Sequence, residues 1–157
     1  MVDRIHAGMA GKVAASIFLA IFAHVGAARA DCFDNSAAYH NVNPWILRAI
    51  AARESRFNPA TVSRNKNNTV DIGIAGINSV HLPELERFGI SQNDLLDSCK
   101  SMYVAGWRLA KMIKKYGNTW EAVGAYHSET PRHRDRYSSL IRQIIDFWIT
   151  KGVMRSS

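Results

Sequence analysis

Glu54 sits where a hydrophobic residue is expected. It belongs to "NPWILRAIAARESRFNPA", residues 43–60, in which Asn43 is a suitable N-cap and Pro44 suits the first helical position. Ile46, Leu47, Ile50 and Phe57 recur at intervals of three, four and seven and mark one apolar stripe. Glu54 follows Ile50 by four and Leu47 by seven, so it falls inside that stripe, with Arg48, Ala52, Ser55 and Arg56 on the other side. A carboxyl in that position either snorkels to solvent beside an arginine or is held in apolar surroundings. In the second case desolvation raises its pKa and keeps it protonated near neutrality, the state a general acid needs.

The elements that must hold this residue are mostly helical. The spacing predicts a helix over 44–57. Residues 63–79, "SRNKNNTVDIGIAGINS", are polar and then Gly-punctuated with no helical period, and predict a loop or small hairpin. "HLPELERFG" reads as a short helical turn stopped at Gly89. Residues 91–117 have Ser and Asn capping options, apolar residues at helical spacing and a terminal Gly, which predicts one long helix. Asn118 or Thr119 caps a short helix in "WEAVGAYHS". The last amphipathic helix carries the stripe Tyr137, Leu140, Ile141, Ile144, Ile145 and Trp148. With no repeat, low-complexity tract or internal linker, the expected fold is mainly α: one domain over 31–150 with a small hairpin element, then a tail, 151–157.

Residues 1–30 read as a cleaved signal peptide. Arg4 and Lys12 form a positive n-region, "VAASIFLAIFAHVGA" an apolar h-region, and Ala28 and Ala30 the small residues of a cleavage site. Cys32 is second after that cut, with no lipobox before it, which argues against lipidation. Export to the periplasm gives Cys32 and Cys99 an oxidising context, so one disulfide is expected. The six histidines show no metal-ligand spacing such as H-E-x-x-H, and no metal is expected. The formal charge is +7, and setting aside Arg4, Lys12 and Arg29 against Asp3 leaves near +5 for the exported part. Such a charge suits an anionic polymer or a membrane surface, and export argues against nucleic acid.

Taken in order, "AIAARESRFNP", "DIGIAGINS" and "AVGAYHSE", with Tyr137 beyond them, resemble the soluble lytic transglycosylase domain of the lysozyme-like superfamily. The resemblance spans Asn43 to about Ile145. The Cys near the exported N-terminus, "INS-V-HLP" and "AYHS" look most like the small transglycosylases that accompany secretion and conjugation machinery. It implies a lysozyme-like helical lobe acting as a monomer without cofactor. The implied activity is cleavage of the MurNAc-β-1,4-GlcNAc bond of peptidoglycan, with a secretion or conjugation apparatus, type III included, as the partner served.

Site roles follow from the same resemblance. Glu54 matches the catalytic acid and Ser55 the serine after it. Asp71, seventeen residues on, resembles the second carboxylate of animal-type lysozymes; alternatively it caps its own hairpin. Asn78, Ser79, Tyr126, His127 and Tyr137 are expected along the substrate cleft, with a core aromatic as the alternative for Tyr126. Three positions depart from the family pattern: Ala75-Gly76 replaces Met-Gln, and His127 takes the place of Asn. The functional alternatives are a lysozyme-type hydrolase using Glu54 and Asp71, and a non-catalytic peptidoglycan-binding assembly protein, which the Ala75-Gly76 change would favour.

Overall fold

The computed structural model describes residues 31–154; the expected signal peptide and the end of the expected tail lie outside the described residues. The chain runs α1 (Cys32–His40), α2 (Pro44–Ser55), β1 (Val62–Arg64), β2 (Val70–Ile72), β3 (Ile77–Asn78), α3 (Leu82–Glu86), α4 (Ser98–Tyr116), α5 (Trp120–His127) and α6 (Pro131–Thr150). Short 3-10 turns, Ser79–His81 and Asn93–Leu96, flank α3. This is the mainly α, lysozyme-like architecture expected. The sheet is antiparallel in the order β1-β2-β3, with Asp71 opposite Ser63 on one side and Asn78 on the other.

Local chemistry sets the helix limits. The Asn43 side chain accepts from Trp45 N and Pro44 opens α2 as expected. The helix stops at Ser55, two residues short of the expected end, because Arg56 and then Phe57 take left-handed φ values of 55° and 65°. Phe57 therefore leaves the stripe. It is 46% exposed and meets the Phe33 ring edge-on at 6.1 Å.

Two other boundaries differ from expectation. Helix α4 starts at Ser98, not Ser91, since Asp97 in extended conformation caps it by accepting from Lys100 N. Ser91 instead donates its backbone N–H and hydroxyl to Asp94, closing a separate turn. Helix α1, unforeseen, is short and weakly patterned, and it is held from outside itself. Asp31 caps it through Phe33 N and Asp34 N. Arg48 of α2 pairs with Asp31 and Asp34 at 2.9 Å, the Ser36 hydroxyl donates to Met102 O of α4 at 2.7 Å, and the Cys32–Cys99 disulfide forms as expected.

The core gathers Leu47, Ala49, Ile50 and Ala51 of α2 with Met102, Ala105 and Leu109 of α4 and with Tyr137, Ile141 and Ile145 of α6. Ile72, Ile74 and Ile77 plug the sheet and its β2–β3 turn onto that core. Each large aliphatic side chain so buried contributes roughly 1.5–3 kcal/mol. Helix α2, the carrier of Glu54, thus has a fully buried Ile50 one turn before the acid, and its end is a rigid platform. Among the described residues no helix is long and apolar enough to cross a membrane.

Candidate active site

The carboxyl of Glu54 sits where the end of α2 meets the β2–β3 turn and α6. It is half-buried, and burial raises its pKa above the ordinary 4.5. The neighbouring Tyr137 hydroxyl, Arg53 and Arg108 oppose that rise, and Asp71 adds to it. The Tyr137 hydroxyl lies against this carboxyl yet has no well-formed hydrogen bond in this state. The His127 ring stacks on Tyr137, centroids 4.8 Å apart and planes 3° from parallel. Burial lowers the His127 pKa, so the ring is neutral at pH 7.

The β2–β3 turn is tied down on several sides. The Ser55 hydroxyl reaches Ile74 O at 2.8 Å and its own helix at Ala51 O at 3.1 Å. The Tyr126 hydroxyl donates to Ala75 O at 3.0 Å. Tyr126 is buried and, like Ser55, holds the turn, whereas Ser79 accepts from Val70 N and closes the open end of the same hairpin. Gly76, at φ +59°, brings bare backbone against the acid: a Cβ there would lie 2.9 Å from both Cβ and Oε2 of Glu54. The turn therefore requires glycine for its backbone and for this close approach alike.

Asp71 is clamped. Its Oδ1 accepts from Asn78 Nδ2 at 2.7 Å and its Oδ2 from Asn65 Nδ2 at 2.9 Å. Thr69 accepts from both amides as well, so the register that sets Asp71 opposite Asn78 yields a closed polar network.

These groups line one cleft with two lobes. The lobes share Glu54, Asp71, Gly76, His127 and His133. The smaller, about 300 Å³, continues past Arg53, Ser63, Arg136 and Tyr137. The larger, about 700 Å³, continues past Asn65, Lys66, Asn78, His81, Arg108 and Tyr126. A long polymer can pass from one lobe to the other across the acid. Of the residues expected in the site, Glu54, Asp71, Asn78, Tyr126, His127 and Tyr137 border the cleft; Ser55 and Ser79 stand behind it.

A profile of the transglycosylase SLT domain matches residues 31–140. The chain belongs to the transglycosylase SLT family. Its relatives include invasion protein IagB of Salmonella typhimurium, 38% identical over 122 residues, which covers 74% of this chain and 76% of that protein. Protein IpgF of Shigella flexneri is 39% identical over 115 residues, covering 73% and 74%. An X polypeptide of Escherichia coli is 36% identical over 133 residues, covering 79% and 78%.

Within this SLT domain the structure adds residues that sequence reasoning passed over. Asn65 and Thr69 lie in a polar stretch without periodicity, and only strand pairing brings them to Asp71. Arg108 donates from Nη2 to Tyr126 O at 2.8 Å and lies over the Tyr126 ring, while its Nε and Nη1 are buried without a hydrogen-bond partner. With burial it lowers the His81 pKa to about 4. Arg53 and Arg136 could have been found, because each directly precedes a residue at the acid. Among the described residues no group of three or more His, Cys, Asp or Glu is arranged to hold a metal.

Proposed function

We propose that the protein is an exported lytic transglycosylase that cleaves the MurNAc-β-1,4-GlcNAc bond of peptidoglycan and leaves a 1,6-anhydroMurNAc end. The observation that carries this reading is the contrast between the two carboxyl groups. Glu54 is desolvated with its pKa raised, as a proton donor to the bridging oxygen must be. Both oxygens of Asp71 are engaged by asparagine amides, which disfavours a second carboxylate attacking the sugar or activating water. Glu54 then protonates the leaving oxygen, and as a carboxylate it takes the proton of the MurNAc C6 hydroxyl while that oxygen bonds C1. The substrate's acetamido group stabilises positive charge developing at C1. No water is consumed.

The hydrolase alternative rests on the position of Asp71 in the cleft wall. The non-catalytic alternative rested on Ala75-Gly76, and the seating of Gly76 against Glu54 supports a maintained site instead. We further propose that residues 1–30 are a cleaved leader, that 31–150 form the acting domain in the periplasm, and that it works as a monomer. A relative named as an invasion protein supports service to a trans-envelope secretion machine, where cleavage opens the wall locally.

The test is mass spectrometry of muropeptides released from purified peptidoglycan. Anhydro ends are expected from the parent, and no release from Glu54→Gln, which keeps its fold and wall binding. Reducing ends would replace this reading with hydrolysis; release by Glu54→Gln at the parental rate would refute the assignment of the acid.

A further inference from the structure

We infer that Arg53 and Arg136 form a carboxylate-recognition subsite in the smaller lobe, reading the acidic substituent carried on the glycan beside the bond at Glu54. The inference rests on the reading of the cleft as a peptidoglycan site and specifies what part of that polymer the lobe selects.

Placement is the first argument. The two arginines come from different helices, α2 and α6, and each directly precedes in sequence a residue turned towards the acid, Glu54 itself and Tyr137. Consecutive helical residues point about 100° apart. Burying Glu54 and Tyr137 therefore brings Arg53 and Arg136 to the cleft mouth, where both are exposed and both border the same lobe with His133.

Charge is the second. Neither arginine takes part in an ion pair among the described residues, whereas Arg134, on the same helix as Arg136, is paired with Asp135 and Glu121. The carboxyl groups that border the lobe are Glu54 and Asp71. Glu54 is half-buried and biased towards its neutral form, and Asp71 is occupied by Asn65 and Asn78. Neither carboxyl group forms an ion pair with Arg53 or Arg136, so both guanidinium groups are left to meet an arriving carboxylate. Arg53 also works against the acid, because its charge favours ionised Glu54. A cation that opposes the proton donor and lacks an internal partner is suited to a partner that arrives with the substrate.

Arginine offers planar paired donors that match a carboxylate. Two sources present that group at this place on the polymer: the lactyl carboxylate of a strand stripped of peptide, and the carboxylates of an attached stem peptide. The shared chemistry is a carboxylate on the 3-O substituent of MurNAc.

The experiment uses the full exported chain with Glu54→Gln, which stops turnover, and compares it with the same chain also carrying Arg53→Gln and Arg136→Gln. Binding is measured by calorimetry, at low and moderate salt, to a neutral chito-oligosaccharide, to peptide-free glycan strands and to peptide-bearing strands. The expected result is a fall of at least about tenfold in the preference for carboxylate-bearing over neutral probes, with a weaker salt dependence. A fall on peptide-free strands alone assigns the lactyl carboxylate, which becomes a neutral amide once a stem is attached; a fall on peptide-bearing strands alone assigns the stem peptide, and a fall on both assigns a subsite that takes either carboxylate. An unchanged preference overturns the subsite, as does an equal loss on all three probes. If the chain with both arginines binds none of the probes, the glycan reading itself fails. Arg53→Lys with Arg136→Lys is expected to restore part of the preference by charge alone.

Discussion

Replacing Gly76 by alanine isolates the contact that holds the acid. Two costs are expected. The first is backbone strain: an L side chain in the left-handed region costs roughly 1–2 kcal/mol, partly offset by about 0.4–1 kcal/mol from the less flexible unfolded chain. The second is steric. The new methyl would meet Glu54 Cβ and Oε2 at 2.9 Å, and Cβ belongs to the helix and cannot swing aside, so roughly 1–3 kcal/mol of overpacking is added. Gly89 supplies the control. It has φ +73° with open space where a Cβ would stand, so Gly89→Ala carries the strain alone. The expected melting temperatures order as parent, Gly89→Ala, Gly76→Ala, with about 3–6 °C separating them per kcal/mol in a domain of this size. Displacing the carboxyl by a fraction of an ångström is expected to lower the initial rate of muropeptide release by up to roughly 10²-fold in Gly76→Ala. The Gly89→Ala rate should stay at the parental value. Equal melting shifts for the two variants, together with parental release by Gly76→Ala, would refute the reasoning.

Glu54→Gln carries a stability signature besides its loss of activity. The folded state raises the Glu54 pKa above 4.5, so it binds more protons than the unfolded chain above that pH, and stability declines as pH rises through the interval. The variant should therefore melt higher than the parent at pH 7, with the gain fading near pH 4 in thermal scans; a pH-independent difference would contradict this. Muropeptide release should fall on the alkaline side of the raised pKa, and Arg53→Gln should move that limb to higher pH, since Arg53 favours the ionised acid. Asp71→Asn turns one acceptor into a donor facing an asparagine amide and should cost about 1–3 kcal/mol while any remaining product keeps its anhydro end. Abolished release with an unchanged melting temperature would instead give Asp71 a direct part in the chemistry. Removing the disulfide with Cys32→Ser and Cys99→Ser, 67 positions apart, should cost up to about 4 kcal/mol in the chain-entropy model, read as a lower melting temperature that reductant no longer changes.

Helix periodicity and most caps were legible because the physics is local, although two local capping options competed before α4 and Asp97, not Ser91, took the role. The stripe from Tyr137 to Trp148 and the caps at Asn43 and Thr119 needed only neighbours a turn away. Helix α1 was not legible, because its nine residues are held by Arg48, Met102 and Cys99 from other elements. The end of α2 was misjudged because the left-handed pair Arg56 and Phe57 turns the chain aside with no Gly at either position, ahead of the stop that Pro59 signals.

By itself the sequence determined that an acid would lie on the apolar side of a helix, which family's motifs surround it, and which cysteines pair. The tertiary structure alone decided how the two carboxyl groups differ. Desolvation of Glu54 requires α6 and the β2–β3 turn to close over it, and the clamp on Asp71 requires strand pairing to bring two asparagines to its oxygens. It also decided why Gly76 stands where the family pattern has a larger residue, since a 2.9 Å approach between a turn and a helix exists only once both are packed on the same core.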